Sequence, residues 1–175
     1  DLVLVAVGVR PNVELAQDAG LAVADGITVD GYLRSSDPRV FAIGDCANFP
    51  LDGRRVRLES VQAAADHARH VARSIAGQEH PPYDALPWFW SDQGPLKLQI
   101  AGLSAGWDAT HALQDATGAT DTVLAFREDR LIAVETINQA GRHMAARRLL
   151  AQPAGISRDT LAAHDYDLRA ALSAR

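Results

Sequence analysis

The chain has 175 residues, 47% of them hydrophobic, and a formal net charge of −5. That length suffices for one or two small domains with a real core, and an acidic balance without a basic, aromatic-laced stripe argues against nucleic acid as a partner. No apolar run is long enough for a bilayer span and no signal-peptide pattern is found, so a cytoplasmic protein with no membrane contact is expected. The single Cys46 cannot form an internal disulfide and reads as a small buried side chain. The six histidines are scattered without useful ligand spacing, so no metal site is expected.

Residues 2–8 form an apolar run of the kind buried in a parallel sheet, yet nothing precedes it to supply neighbouring strands. The sequence therefore reads as the rear part of a longer protein. Pro11 and Asn12 break the run, Asn12 is placed to cap a short helix over 13–19, and Gly20 closes it. Strands are expected at 27–29 and 40–43, with Asp30-Gly31 as a turn between them. The polar residues 48–57 read as a surface loop. An Ala-rich helix follows over 58–77, with Val61, Ala64, Ala65, Ala68, Val71, Ala72 and Ile75 on one apolar stripe and Glu59 or Ser60 at its start.

Pro81-Pro82 marks a linker, after which the pattern becomes antiparallel. Trp88-Phe89-Trp90 places both tryptophans on one face of a strand. Further strands are expected at 96–101, 109–113, 122–126 and 131–137, and helices at 140–151, 157–163 and 168–172. This is an α+β domain with a five-stranded antiparallel sheet. The part before it is α/β, a partial Rossmann-like segment.

The chemistry-bearing stretch is Val40-Phe41-Ala42-Ile43-Gly44-Asp45-Cys46-Ala47. A ligand in an open α/β sheet sits beyond the carboxyl ends of the strands, where Gly44 permits close backbone approach and Asp45 offers two acceptor oxygens to hydroxyl groups. On these residues alone, an ordinary Gly-Asp turn stands level with a polyol site.

The neighbours resemble a known family. The sequence from Thr28-Val29-Asp30-Gly31 through Ile43-Gly44-Asp45 resembles the second FAD motif of the two-dinucleotide-domain flavoprotein reductases, which implies that Asp45 binds the ribityl chain of the flavin. Ala6-Val7-Gly8-Val9-Arg10-Pro11-Asn12 resembles the segment returning from their NADH domain to their FAD domain. Glu59-Ser60-Val61-Gln62, followed by alanines, resembles the oxygenase-coupled ferredoxin and rubredoxin reductases, in which this helix points its positive end at the flavin pyrimidine edge. Ala63 and His67 depart from that pattern, standing where asparagine and glutamine are usual. Pro87-Trp88-Phe89-Trp90-Ser91-Asp92-Gln93 resembles the C-terminal domain of the same reductases and of apoptosis-inducing factor, which implies that Trp90 lies against the flavin. For Trp88 a core role and a site role remain open.

The resemblance implies three parts: the end of an NADH domain (1–20), a returning FAD-binding segment (21–80) and a C-terminal domain (81–175). It implies FAD and NAD(H) as cofactors of the intact protein, and a [2Fe-2S] ferredoxin or a rubredoxin as the acceptor partner. Gly44, Asp45, Glu59, Ser60, Val61 and Trp90 are the expected cofactor-binding residues, and no catalytic side chain is required because the cofactor carries the chemistry. The sequence holds no Gly-x-Gly-x-x-Gly fingerprint, so these residues alone are expected to complete neither dinucleotide site nor to be active without the missing N-terminal part. The alternatives are an NADH oxidase or disulfide reductase of the same superfamily, and a non-enzymatic redox protein like apoptosis-inducing factor. His80-Pro81 has the dipeptide of the disulfide reductases but falls in the linker.

Overall fold

A computed structural model describes residues 2–174, and the chain divides into two compact units, the first ending at Ala85 and the second beginning at Leu86. In the first, residues 2–12 form no strand, and Leu2, Val3, Leu4 and Val5 are exposed. The expected buried strand at 2–8 is thus corrected: a strand needs a pairing neighbour, and none of the described residues pairs with this run. Helix α1 (Glu14–Asp18) starts from Val13 without a side-chain cap, so Asn12 does not cap it.

Four short strands follow: β1 (Val23–Ala24), β2 (Gly26–Thr28), β3 (Ala47–Leu51) and β4 (Arg54–Val56), side by side in that order. The two outer pairs are antiparallel and the central pair is parallel, with Ile27 opposite Ala47 and Thr28 opposite Asn48. The parallel strand is therefore not at 40–43, where Phe41 makes only an isolated bridge to Arg34 and Val40 and Ile43 stay exposed. It lies just after the Gly-Asp pair. The polar stretch 48–57, expected as a surface loop, is the β3–β4 hairpin. Its buried Asn48 accepts from Arg55 Nε (2.8 Å) and donates to the Asp25 carbonyl (2.8 Å). Arg55 also donates to the Val29 carbonyl at 2.7 Å.

Helix α2 (Val61–Ile75) begins where expected, with extended Ser60 as its N-cap, and Gly77 at φ +67° ends it. The face it buries is Ala63, His67, His70 and Val71. Most of the expected apolar stripe is not the buried face, and Val61 and Ile75 are exposed. The proline-rich linker is tied down at Tyr83, whose N–H donates to the Gly31 carbonyl (2.7 Å) and whose ring is buried.

The second unit follows the expected plan. Strands β5 (Trp88–Gln93), β6 (Leu96–Gly102), β7 (Ala109–Gln114), β8 (Thr120–Arg127) and β9 (Arg130–Ile137) form one sheet in the order β5-β6-β9-β8-β7, every pair antiparallel. Glu128 and Asp129, both at positive φ, make the two-residue turn between β8 and β9. Helices α3 (Ala140–Leu150), α4 (Arg158–Ala162) and α5 (Leu168–Ser173) follow, the latter two capped by Ser157 and Asp167. Ala101, Val134 and Leu124, in register across three strands, join Ala146, Leu149, Leu161 and Leu168 in one apolar core.

Among the described residues no helix is long and apolar enough to cross a membrane, and no three His, Cys, Asp or Glu side chains gather as a metal site.

Candidate functional site

The stretch from Gly44 to Cys46 is a single 3-10 turn leading into β3. Gly44 adopts φ +72°, a conformation in which an L side chain is strained. Gly26 of β2 also has positive φ, and a Cβ there would lie 2.6 Å from the Cys46 carbonyl oxygen, so the strand can come this close to the turn only as glycine.

Two side chains grip the turn. The Gly44 N–H donates to Nδ1 of His67 (3.1 Å), a buried bond reaching from α2. Arg57 Nη1 donates to the Asp45 carbonyl (3.2 Å), while its Nε donates to the Asp25 carboxylate (3.1 Å) and its Nη1 also pairs with Glu59. With its side chain only 12% exposed, Arg57 ties the β1–β2 turn, the Gly-Asp turn and the approach to α2 into one node. The Glu59 carboxylate, and then that of Asp25, holds the guanidinium still more firmly protonated than usual. The Asp45 side chain is exposed.

At the start of α2 the Ser60 Oγ accepts the Ala63 N–H (3.1 Å). Glu59 is engaged with Arg57, so of the two expected caps only Ser60 serves. The first N–H groups of a helix lack intrahelical acceptors and carry its partial positive charge. Val61 is 71% exposed there, and the Gln62 Oε1 is buried with no hydrogen-bond partner among the described residues. An exposed carboxylate next to a glycine, a helix N-terminus and an orphaned buried amide oxygen fit a ligand with hydroxyl and anionic groups, as FAD has.

Behind the turn lies a nest of rings. His67 is fully buried and meets Phe49 and Tyr83 edge-on, with centroids 4.7 and 4.6 Å away. Burial pushes its pKa down to about 4, with His70 adding to the shift and Asp66 opposing it. Burial likewise pushes the Tyr83 phenol up to about 12. His70 sits edge-on to His80 (4.3 Å) and is also lowered, first by burial and then by His80 and Arg73. His80 donates from Nδ1 to the Pro81 carbonyl (3.0 Å), leaving Nε2 to accept from Ser74 (2.8 Å), so the His-Pro dipeptide is occupied in closing the end of α2.

In the second unit, Trp88 and Trp90 lie on one sheet face, stacked with centroids 5.8 Å apart. The Arg147 guanidinium is 4.1 Å over the Trp88 ring, and buried His143 lies 5.8 Å from the same indole. Trp88 is packed among α3 side chains; Trp90, half-buried, stands beyond it.

Of the expected site residues, the structure gathers Gly44, Asp45, Glu59, Ser60 and Val61 in the first unit, around Arg57 and the start of α2. Trp90 belongs to the second. Sequence reasoning missed Arg57, and marked His67 only as a departure from the family pattern. The signal for His67 was its position on one helical face with Ala63 and His70, at i+4 and i+7; nothing local distinguished Arg57 from its neighbours Arg54 and Arg55.

Residues 1–68 match the family model described as pyridine nucleotide-disulphide oxidoreductase, and residues 88–172 the one described as reductase C-terminal. Rhodocoxin reductase of Rhodococcus erythropolis is 44% identical over 99% of this chain. The crystal structure of the ferredoxin reductase for the CYP199A2 system from Rhodopseudomonas palustris, also 44% identical, matches 98% of the chain with a TM-score of 0.87. The covalent putidaredoxin reductase–putidaredoxin complex, 34% identical, matches 95% with a TM-score of 0.85. The chain spans 41%, 43% and 40% of the lengths of these three. It belongs to the pyridine nucleotide-disulphide oxidoreductases that carry a reductase C-terminal domain.

Proposed function

We propose that the protein containing this chain is an FAD-dependent reductase that passes electrons from NADH to a [2Fe-2S] ferredoxin or a rubredoxin of an oxygenase system, working in the cytoplasm. A bound FAD would supply the chemistry, hydride acceptance from a nicotinamide and one-electron delivery to an iron-containing acceptor, while this chain's residues would hold and orient it. In this reading residues 1–20 end the NADH domain, 21–80 are the returning FAD segment and 81–175 the C-terminal domain. Asp45 accepts hydroxyl hydrogen bonds from the ribityl chain, with Gly44 leaving room for it. Ser60 orders the first turn of α2, whose Val61 and neighbouring N–H groups face the flavin pyrimidine edge. Negative charge there is stabilised by up to about 1–2 kcal/mol at a helix N-terminus. Glu59 acts through Arg57, and Trp90 offers an aromatic face to the flavin.

The observation that carries this reading is the Gly44–Cys46 turn, gripped by His67 and Arg57 so that an exposed Asp45 is presented beside the approach to α2. A charge-assisted hydrogen bond contributes about 1.5–3 kcal/mol, so Asp45→Ala in the full-length protein should weaken FAD binding about ten- to a hundredfold. Flavin titration of the apoprotein measures it. Unchanged affinity would remove Asp45 from the site. Rapid ferredoxin reduction by the parent supports the reductase over a redox-signalling protein, which would hold reduced flavin without turning an acceptor over.

A further inference from the structure

We propose that His67, as the neutral imidazole with its proton on Nε2, positions Asp45 for the flavin by accepting the Gly44 N–H; this rests on the reading of Asp45 given above.

The bond fixes the hydrogen's place. A neutral imidazole has one donor and one acceptor nitrogen, and Nδ1 faces the Gly44 N–H at 3.1 Å, so Nδ1 must be the bare one. The proton is left on Nε2, which is buried and has no hydrogen-bond partner among the described residues. Edge-on Phe49 and Tyr83 enclose the ring, so its plane is set by packing and the acceptor is held in one direction. That acceptor meets the residue whose positive φ aims the next side chain. Within this chain Gly44 is not crowded, since a Cβ there would meet Ala64 at an ordinary 3.6 Å; the left-handed backbone already requires glycine, and the His67 bond holds that backbone. The charged and titratable groups around the ring divide: Asp66 favours its protonation and His70 opposes it, while burial dominates and keeps it neutral.

His67 therefore does here, with an imidazole nitrogen, what an amide oxygen of glutamine could do from the same helical position. Any acceptor of similar reach should suffice, whereas an apolar side chain of similar size leaves the Gly44 N–H buried and unpaired.

The test uses the full-length protein, stripped of flavin and titrated with FAD, as parent, His67→Gln, His67→Leu and Asp45→Ala. His67→Leu should weaken binding about tenfold or more, and His67→Gln should restore it to within about threefold of the parent. Amide exchange at Gly44 should be fast in the leucine variant and slow in the glutamine one, a readout independent of flavin. Undiminished affinity in His67→Leu beside weakened binding in Asp45→Ala overturns the inference alone; undiminished affinity in Asp45→Ala overturns the flavin reading and the inference with it. Should His67→Leu not fold, the parent decides: a 15N spectrum with the His67 proton on Nε2 supports the inference, and one with it on Nδ1 overturns it.

Discussion

The second unit buries Leu124, Phe126, Val134, Leu149, Ile156, Leu161 and Leu168 together in one apolar core, whereas the first surrounds a buried imidazole with aromatic rings. Both are compact, but their interiors are built to different ends. Apolar packing is non-directional and tolerates repacking, so it suits a unit whose task is to hold a shape. Hydrogen bonds accepted by His67 and Asn48 and donated by Arg57 are directional, and they fix one turn and one hairpin at the cost of desolvating charged and polar groups. The polar interior of the first unit is spent on fixing the Gly44–Cys46 turn.

This contrast breaks most visibly in the second unit. Phe126 is fully buried, and Phe→Ala in such a core costs about 3–5 kcal/mol. All three tryptophans (Trp88, Trp90 and Trp107) belong to the second unit, so tryptophan emission during urea unfolding follows that unit alone. Phe126→Ala should shift its midpoint steeply downward while the Gly44 amide of the first unit keeps its protection. A loss below about 1 kcal/mol would mean that the core is not the source of that unit's stability.

The first unit should respond to acid instead. His67 falls from the ordinary 6.5 to about 4 in the folded chain, so between these values the unfolded chain binds the proton that the folded one refuses. Stability is then fully present above about pH 6.5 and declines as pH falls toward 4. A shift of this size corresponds to about 3 kcal/mol lost, an order-of-magnitude figure for one buried group. Unfolding monitored by tyrosine or amide signals of the first unit, from pH 7.5 to pH 4, should show this slope in the parent and a shallower one in His67→Gln. Equal slopes would place the acid sensitivity elsewhere.

The same difference decides what could be read from the sequence. The second unit was legible almost element by element because its instructions are local: short β-rich runs separated by turn residues at Gly94, Gly118 and Glu128-Asp129, the glycines and both turn residues at positive φ. In the first unit the apolar runs at 2–8 and 40–43 read as buried strands, yet neither is one, because hydrophobicity without a pairing neighbour does not specify a strand. The real β3 includes Asn48 and Pro50, residues that argue against a strand. Pro50 is tolerated because β2 pairs only with Ala47 and Asn48, leaving Pro50 opposite Arg55 alone. Asn48 is tolerated because Arg55 and the Asp25 carbonyl satisfy it, partners 7 and 23 residues away. The Gly44-Asp45 pair was legible by resemblance, but its two supports were not. Arg57 and His67 reach the turn from 12 and 23 residues along the chain.

The smallest effect expected, and the sharpest, concerns the place where the aliphatic unit itself turns polar. Arg147 lies on the Trp88 ring at 4.1 Å, and Trp88 stacks on Trp90, so a cation, an indole and a second indole follow one another along one sheet face. Trp88 thereby fills space against α3, and Trp90, half-buried, stands beyond it. Arg147 is in the last turn of α3, where a cation is also favoured by the helix dipole, so a single Arg147→Met substitution would mix two effects. A double-mutant cycle separates them. Arg147→Met and Trp88→Leu, alone and together, should show a coupling of about 0.5–1 kcal/mol, the size of a partly exposed cation–π contact. Arg147→Met alone should also alter tryptophan emission, because the charge over Trp88 is gone while the stack remains. Strictly additive stabilities with unchanged emission would leave Arg147 a bystander and return Trp88 to the aliphatic core as an ordinary filler.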